Sequence, residues 1–484
     1  MRRTFALFLL LSPSLFAQSI DSAAVDRLVR DTMSRWEVPA MSVAVVQNDR
    51  VTYIKGFGAT PDTLFQIGST TKAFTTTAMA MLVDEKKMSW DDPVRKYLEY
   101  FHLSDPCADA TVTLRDIVSH RSGLSRHDEI WDYTDLSREE IIRRMATVKL
   151  SKPIRGAYQY NNIMFMTAGE AVASAAKMPL SAFVKTRIFD PLGMRETVIS
   201  EADWLRSVHV AGYHYDPVRD AVVPQAMQPY ESLAPAGTIK SSARDMAQWI
   251  RFQLNDGVVD GKRLVSAEAL NETKTPQIVL PNEQAVRDDN PETNINTYGM
   301  AWRIQDYRGE LLVSHGGALN GFRTQVDLLP RQHSGFVVMS NLGRGYATIA
   351  MRNALADMLL GKPARDWNAY YLALDAKSRA EDETKKREQN AKRHNDTKPS
   401  RELAAYAGTY TSPAYGPATV SLNGDQLVLQ YGRLRMPLTH WQFDTFSAVN
   451  AEEEIDELVP FALGTDGEVK KLTLFGEDFA KPPS

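Results

Sequence analysis

Ser69-Thr70-Thr71-Lys72 places a hydroxyl and an amine three residues apart. A serine hydroxyl is a poor nucleophile at neutral pH unless a neighbouring group takes its proton. On a helix, positions three apart share a face, so this spacing alone can bring a base to a nucleophile. Taken singly the pattern is weak, because it also describes a helix N-cap serine followed by a surface lysine. Its surroundings strengthen the chemical reading. Leu64, Phe65 and Ile67 read as a short buried segment, and residues 73–83 read as an apolar helix. A lysine at the start of a buried helix needs a partner or a function.

Two further segments could complete such a site. Tyr160-Asn161-Asn162 stands at the entrance to an apolar helix over 163–175. Tyr160 would act on protons and Asn162 would hold an acyl amide; the alternative is a helix-capping Asn beside a core Tyr. Ser314-His315-Gly316-Gly317-Ala318 follows an apolar strand over 311–314. Paired glycines there permit close approach by another backbone. A substrate could add along that edge with backbone N–H groups facing its carbonyl. The alternative is a tight turn.

In this order, Ser69-x-x-Lys72, Tyr160-x-Asn162 and His315-x-Gly317 resemble the three motifs of the penicillin-recognising serine hydrolases. The resemblance is to the branch of class C β-lactamases, related esterases and D-stereospecific aminopeptidases. The stretches 113–124, Pro191-Leu192-Gly193-Met194 and Tyr298-Gly299-Met300-Ala301-Trp302 agree with it, and it covers residues 22–362. The resemblance implies that Ser69 forms an acyl-enzyme and that Lys72 and Tyr160 share the general-base work. Tyr160 would then protonate the leaving group. Asn162 would orient the substrate beside His315, Gly317 and Ala318, and the N–H groups of Ser69 and Ala318 would form an oxyanion hole. Free Lys and Tyr titrate at about 10.4 and about 10. Side by side and desolvated, the lysine cation is expected to favour the phenolate and burial to disfavour the ammonium, so the two should titrate as a unit.

The third motif departs from the β-lactamase pattern, which usually begins with lysine. His315, with an ordinary pKa of about 6.5, is mostly neutral at pH 7. This moves the expectation away from strong β-lactam hydrolysis. The expected function is an exported serine hydrolase acting on esters or small amides, including peptides with D-residues. The alternatives are a weak β-lactamase or D,D-peptidase and, from another class, a non-catalytic binding or sensor domain. The expected partner is a small-molecule or peptide substrate. No cofactor and no metal are expected: there is no Gly-rich phosphate loop, and His120 and His127 lack metal-ligand spacing. His120 reads as a hydrogen-bonded structural residue. Trp131 and Tyr133 either line the cleft or pack the helical region.

The elements that must position these residues follow from composition and period. The 484 residues, 43% of them hydrophobic, suggest two or three domains. Charges nearly balance, 56 basic against 60 acidic, which argues against nucleic acid or acidic lipid as a partner. Residues 1–17 read as a signal peptide, with Arg2 and Arg3 before an apolar run too short to span a bilayer. The mature chain is thus expected to be periplasmic or secreted, without stable membrane insertion. The single cysteine, Cys107, excludes an internal disulfide and reads as a loop residue without a role.

A helix is predicted over 22–36, then a hairpin over 41–47 and 51–53 turning at Asn48-Asp49, then mostly helix to about residue 250. Strands are predicted over 298–304, 311–314, 324–329 and 335–340, and a helix over 346–360. Strands at both ends of a helical middle imply an α+β, serine β-lactamase-like fold: an antiparallel sheet flanked by helices with a helical insertion. The polar stretch 276–297 reads as a functional edge or a disordered loop. Residues 375–399 have almost nothing apolar and read as a solvated helix or linker. Short strands from 402 onward, with a hairpin signal at Asn423-Gly424, predict a small antiparallel barrel or sandwich. It resembles the lipocalin-like appendage of some family members, and its alternating apolar residues serve either an ordinary core or an apolar ligand. The domains are then 1–17 signal peptide, 18–375 hydrolase, 376–400 charged linker and 401–484 barrel.

Overall fold

The computed structural model describes residues 19–216, 219–228, 230–281, 290–450, 453 and 455–482. The leader expected at 1–17 and part of the polar stretch at 276–297 lie outside them. Helix α1 (Ser22–Trp36) starts where Asp21 accepts the N–H groups of Ala23 and Ala24, and stops at Glu37 in a left-handed conformation. Strands β1 (Met41–Gln47) and β2 (Arg50–Phe57) form the hairpin, with positive φ at both Asn48 and Asp49. That geometry matches the right-handed twist of the strands.

The helices that follow are α2 (Thr71–Asp84), α3 (Leu114–Val118), α4 (Glu129–Asp132), α5 (Asn162–Ala176) and α6 (Ala243–Leu254). The chain then returns through β3 (Ile278–Val279), β4 (Asn296–Tyr298), β5 (Arg303–Tyr307), β6 (Glu310–Leu319), β7 (Phe322–Leu329) and β8 (Ser334–Ser340). Helices α7 (Gly345–Leu359) and α8 (Trp367–Ala391) follow. The eight strands form one antiparallel sheet in the order β2-β1-β8-β7-β6-β5-β4-β3, so β1 pairs with β8 and joins both ends of the domain. Alternation along the strands supplies two apolar faces. On one, Val43, Val45, Phe336 and Val338 pack under α1 and α7 with Trp36, Met351 and Leu355. On the other, Val46 and Met339 join the core of α2, α5 and α6, where Phe74 stacks on Trp249 at 3.8 Å between centroids.

Strands β9 (Gly408–Ser412), β10 (Gly416–Asn423), β11 (Gln426–Tyr431), β12 (Leu434–Gln442), β13 (Thr445–Asn450), β14 (Ile455–Leu463), β15 (Val469–Leu474) and β16 (Glu477–Ala480) close into an antiparallel barrel. Tyr410, Leu429, Met436, Phe446, Phe461 and Leu472 fill its interior as an ordinary core. The charged stretch before it is helical to Ala391, and its residues 376–392 are all exposed.

Three local expectations are corrected. The strand expected over 298–304 is broken between β4 and β5, where Ala301 takes a φ of 72° and a Cβ on Gly299 would meet Thr273 O at 2.6 Å. The strand expected to end at Ser314 continues to Leu319, so His315, Gly316, Gly317 and Ala318 are strand residues and not a tight turn. Cys107 lies in a short helix, Pro106–Thr111, because Asp105 caps it through the N–H of Ala108 and Pro106 presets the first turn.

Candidate active site

Ser69 sits in a 3-10 turn, Gly68–Thr70, that runs directly into α2. The N-cap position of α2 makes no side-chain capping bond, so the hydroxyl of Ser69 is not spent as a helix cap. Instead it lies between two groups. Lys72 Nζ is 2.9 Å from Ser69 Oγ, and the Tyr160 hydroxyl donates to the same oxygen at 2.7 Å. Lys72 is fully buried and also donates to Asn162 Oδ1 at 2.7 Å and to Ala236 O at 2.8 Å. Three acceptors suit an ammonium. A neutral amine keeps two of them and turns its lone pair to the serine O–H.

Asn161 caps α5, accepting the N–H of Met164 through its side chain. Asn162 is therefore free to face the site: its Oδ1 meets Lys72, and its Nδ2 donates to both Asp128 carboxylate oxygens at 3.1 and 3.2 Å. Tyr160 is set by its neighbours. His120 O accepts the N–H of Gln159 at 2.7 Å, His120 Nδ1 accepts that of Asn161 at 3.0 Å, and the His120 ring lies 4.3 Å from that of Tyr160. His120 is thus a buried structural residue, held neutral by burial first and by the nearby Lys72 charge.

The glycines bring the third strand in. A Cβ on Gly317 would meet Ile67 O at 1.9 Å and Ser69 N at 3.2 Å, and a Cβ on Gly68 would meet Ala318 N at 2.4 Å. Only bare backbone allows the Ser69 turn and β6 to lie this close. The approach brings the backbone of Gly317 and Ala318 against that of Gly68 and Ser69, where the resemblance implies an oxyanion hole.

His315 behaves otherwise than its ordinary pKa suggests. Burial first, then the Lys72 charge, push its imidazole down to about 3. Its Nδ1 donates to Gly316 O at 2.6 Å, leaving Nε2 to accept from the Tyr298 hydroxyl at 3.0 Å. The imidazole is neutral with both nitrogens engaged, Nε2 by the Tyr298 hydroxyl. A second expectation is also overturned. Burial dominates at Tyr160 and pushes its phenol well above the ordinary range, with the Ser69 hydrogen bond pulling only partly back. Burial also drives Lys72 well below the ordinary amine range, against the Asp128 charge, which raises it. Low dielectric disfavours phenolate and ammonium alike. Burial thus favours the uncharged form of both groups.

The cleft encloses about 510 Å³ and curves round the open edge of β6. Residues outside the three motifs line it, Trp131 among them as one of its two expected readings. Arg126 lies 5.3 Å over the Tyr160 ring, and Trp131 forms a wall. Arg303 opposes Ser314 on the neighbouring strand, one residue from His315, and among the described residues forms no ion pair. Arg352 donates to Asn290 Oδ1 and Asn353 Oδ1 farther along the wall. Tyr133 faces away, toward the barrel, stacked on Phe475. Among the described residues no three His, Cys, Asp or Glu side chains are gathered as metal ligands would be.

Fold and site together define a chain built on the β-lactamase scaffold. A family model described as Beta-lactamase matches residues 25–358, and the chain belongs to that family. Residues 392–482 match a domain of unknown function, DUF3471. The chain is similar to a protein named unguisins hydrolase ungD' from Aspergillus campestris, 29% identical over 439 residues, which are 84% of this chain and 79% of that one. It is also similar to protein flp of Staphylococcus aureus, 23% identical over 337 residues, 66% of this chain and 63% of that one. Among solved structures it is similar to the octameric penicillin-binding protein homologue of Pyrococcus abyssi, with a TM-score of 0.63, 23% identity and coverage of 96% and 100% of the two chains. A class C β-lactamase of Rhodobacter sphaeroides gives a TM-score of 0.56, 22% identity and coverage of 70% and 99%. The chain is accordingly a hydrolase of the β-lactamase fold with a C-terminal barrel.

Proposed function

We propose that the chain is an exported serine hydrolase that opens esters or small amides, including peptides with D-residues, through an acyl-enzyme on Ser69. The observation that carries this reading is the Ser69 oxygen set between Lys72 Nζ and the Tyr160 hydroxyl, 2.9 and 2.7 Å away. Neutral Lys72 takes the Ser69 proton as Oγ attacks the acyl carbon. The oxyanion gathers the N–H groups of Ser69 and Ala318, and Asn162 aligns the acyl amide. The leaving group departs with a proton delivered through Tyr160, and water then reverses the sequence to release the acid. Export rests on the leader-like residues 1–17.

A second reading, cleavage of acyl donors that end in a carboxylate as a D,D-peptidase requires, is favoured by Arg303. Neutral His315 supplies no cation, but the Arg303 guanidinium one strand away, without an ion pair among the described residues, does. The test is a substrate panel of p-nitrophenyl esters, D- and L-amino-acid p-nitroanilides, carboxylated D-peptides and nitrocefin, run on wild type, Ser69→Ala and Arg303→Met. Turnover that survives Ser69→Ala sinks the serine mechanism, and a wild type inert both to fluorophosphonate and to the whole panel favours a non-catalytic module. An equal effect of Arg303→Met on neutral and carboxylated substrates removes the second reading.

A further inference from the structure

Residues 126–133 stand between two environments. Arg126, Asp128 and Trp131 face the cleft, whereas His127, Glu129, Asp132 and Tyr133 meet the barrel. On the barrel side, the Tyr415 hydroxyl lies 3.0 Å from His127 Nδ1 and 3.4 Å from Glu129 Oε2. Tyr431 donates to Glu129 O at 3.4 Å. The Arg433 N–H donates to Tyr133 O at 2.9 Å and its Nε to Asp132 O at 3.1 Å. The fit is close: a Cβ on Gly432 would meet Tyr133 O at 1.9 Å. Tyr415 and Tyr431 are themselves buried among the aromatic core of the barrel, in ring contact with Phe479. A turn of the hydrolase domain therefore docks against core residues of the barrel.

The same turn has little stability of its own. Helix α4 is one turn long, and its N-cap residue, Asp128, makes no capping bond because its carboxylate is committed elsewhere. It accepts Asn162 Nδ2 at 3.1 and 3.2 Å and the Trp131 indole N–H at 2.8 Å, while Asn162 Oδ1 receives Lys72. A helix this short does not persist in water unaided. Its conformation must come from packing, and the packing on its outer side is the barrel.

We propose that the barrel is a positioning domain for the active site. Tyr415, Tyr431 and Arg433 clamp residues 127–133, and so fix Asp128 where it orients Asn162 toward Lys72 and fix Trp131 as a wall of the cleft. None of the three barrel residues touches the reacting atoms. They act through Asp128, as outer residues act on the ligands of a site. The proposal rests on the reading of Ser69 as the acylated group.

The test uses the full chain carrying Tyr415→Phe and Arg433→Ala together, read by kinetics and by amide hydrogen exchange. The expected result is a loss of at least tenfold in kcat with a smaller change in KM. Exchange over 127–134 should be at least tenfold faster, with unchanged protection of the barrel strands. Arg401→Ala, which breaks an ion pair with Glu468 inside the barrel unit, is the control and should alter neither readout. If the double variant loses barrel protection, Glu129→Ala carries the same test from the hydrolase side of the contact. Unchanged exchange over 127–134, faster exchange with wild-type kcat, or an equal loss in Arg401→Ala each overturns the proposal. A wild type that fluorophosphonate does not label refutes the serine mechanism instead, and the exchange measurement still decides whether the barrel holds the turn.

Discussion

At the scale of single residues, burial disfavours the charged forms of Lys72, Tyr160 and His315 alike. Lys72 is buried with only neutral hydrogen-bond partners in contact, and burial drives its amine well below the ordinary amine range. Tyr160 is held as a phenol and His315 as a neutral imidazole. Ser69→Ala is expected to abolish turnover, and Lys72→Ala and Tyr160→Phe to cost about 10²–10⁴-fold each, with the double variant no worse than the poorer single because the groups act as one. Steady-state kinetics on carefully purified protein measures this; Ser69→Ala within tenfold of wild type defeats it. The sign of the pH dependence follows from the direction of each shift. Catalysis needs neutral Lys72, so kcat/KM should rise with pH along a limb set by its depressed pKa. His315 is already neutral above about pH 3 and should contribute nothing to that limb. His315→Gln is expected to lower the rate without moving the midpoint; a displacement of more than about one pH unit would make His315 the titrating group after all.

At the scale of elements, residues near the motifs were legible and their distant partners were not. Ser69 and Lys72, or Tyr160 and Asn162, declare themselves by local spacing. Asp128 reaches Asn162 across 34 positions, and nothing in the polar run Arg126-His127-Asp128-Glu129 marks the third residue. Arg303 meets the neighbourhood of His315 only through strand register. Sequence also left open whether the Asn beside Tyr160 capped the helix or served the site; the structure has both, Asn161 capping and Asn162 facing Lys72. The stretch 113–124 acts as scaffold. Thr113 and Asp116 form a capping box on α3, and the fully buried Asp116 also accepts Arg121 Nε at 2.7 Å and Arg155 NH2 at 2.7 Å. Burial alone would raise the Asp116 carboxyl, but the Arg155 bond, the Thr113 bonds and the Arg121 charge together lower it. Asp116→Ala should therefore cost about 3 kcal/mol, the usual effect of removing one partner of a buried pair. A depressed carboxyl stabilises the fold above its unfolded pKa, so the gap to wild type should be constant above about pH 5 and close as pH falls below about 3.9. Urea unfolding at several pH values checks this. A gap that does not narrow at all as pH falls from about 5 to the acid limit of folding would assign the loss to packing and not to the charge.

At the scale of the whole molecule the two units are joined twice, once by contact and once by chain. The contact centres on the docked turn at residues 127–133, and Arg144 and Gln228 add hydrogen bonds to Ala414 O and the Glu453 carboxylate. The chain connection is α8, whose first turns are anchored by buried Trp367, Asn368 and Tyr371, whereas residues 376–392 expose every side chain. Sequence identified this stretch by its want of apolar residues but could not say whether it was a helix or a coil, because charge-rich segments satisfy both readings until a neighbour caps or packs them. The far end is anchored again: Arg393 donates to Trp441 O at 2.8 Å and lies 4.5 Å over the Trp441 ring. Between the anchors the hydrogen-bonded backbone has no apolar packing to defend it, so local opening there should be the least costly in the connection. Trypsin needs such opening and finds Lys377, Arg379, Lys385, Lys386 and Arg387 within the exposed span. Limited digestion is expected to cut first between 377 and 387, yielding an N-terminal fragment that ends in this window beside an intact barrel, both identified by mass spectrometry. First cleavage at Arg393 or beyond would show that its anchor to Trp441 is weaker than the helix. First cleavage within 22–362 would mean that the hydrolase domain opens before the connection does, and that the boundary lies elsewhere.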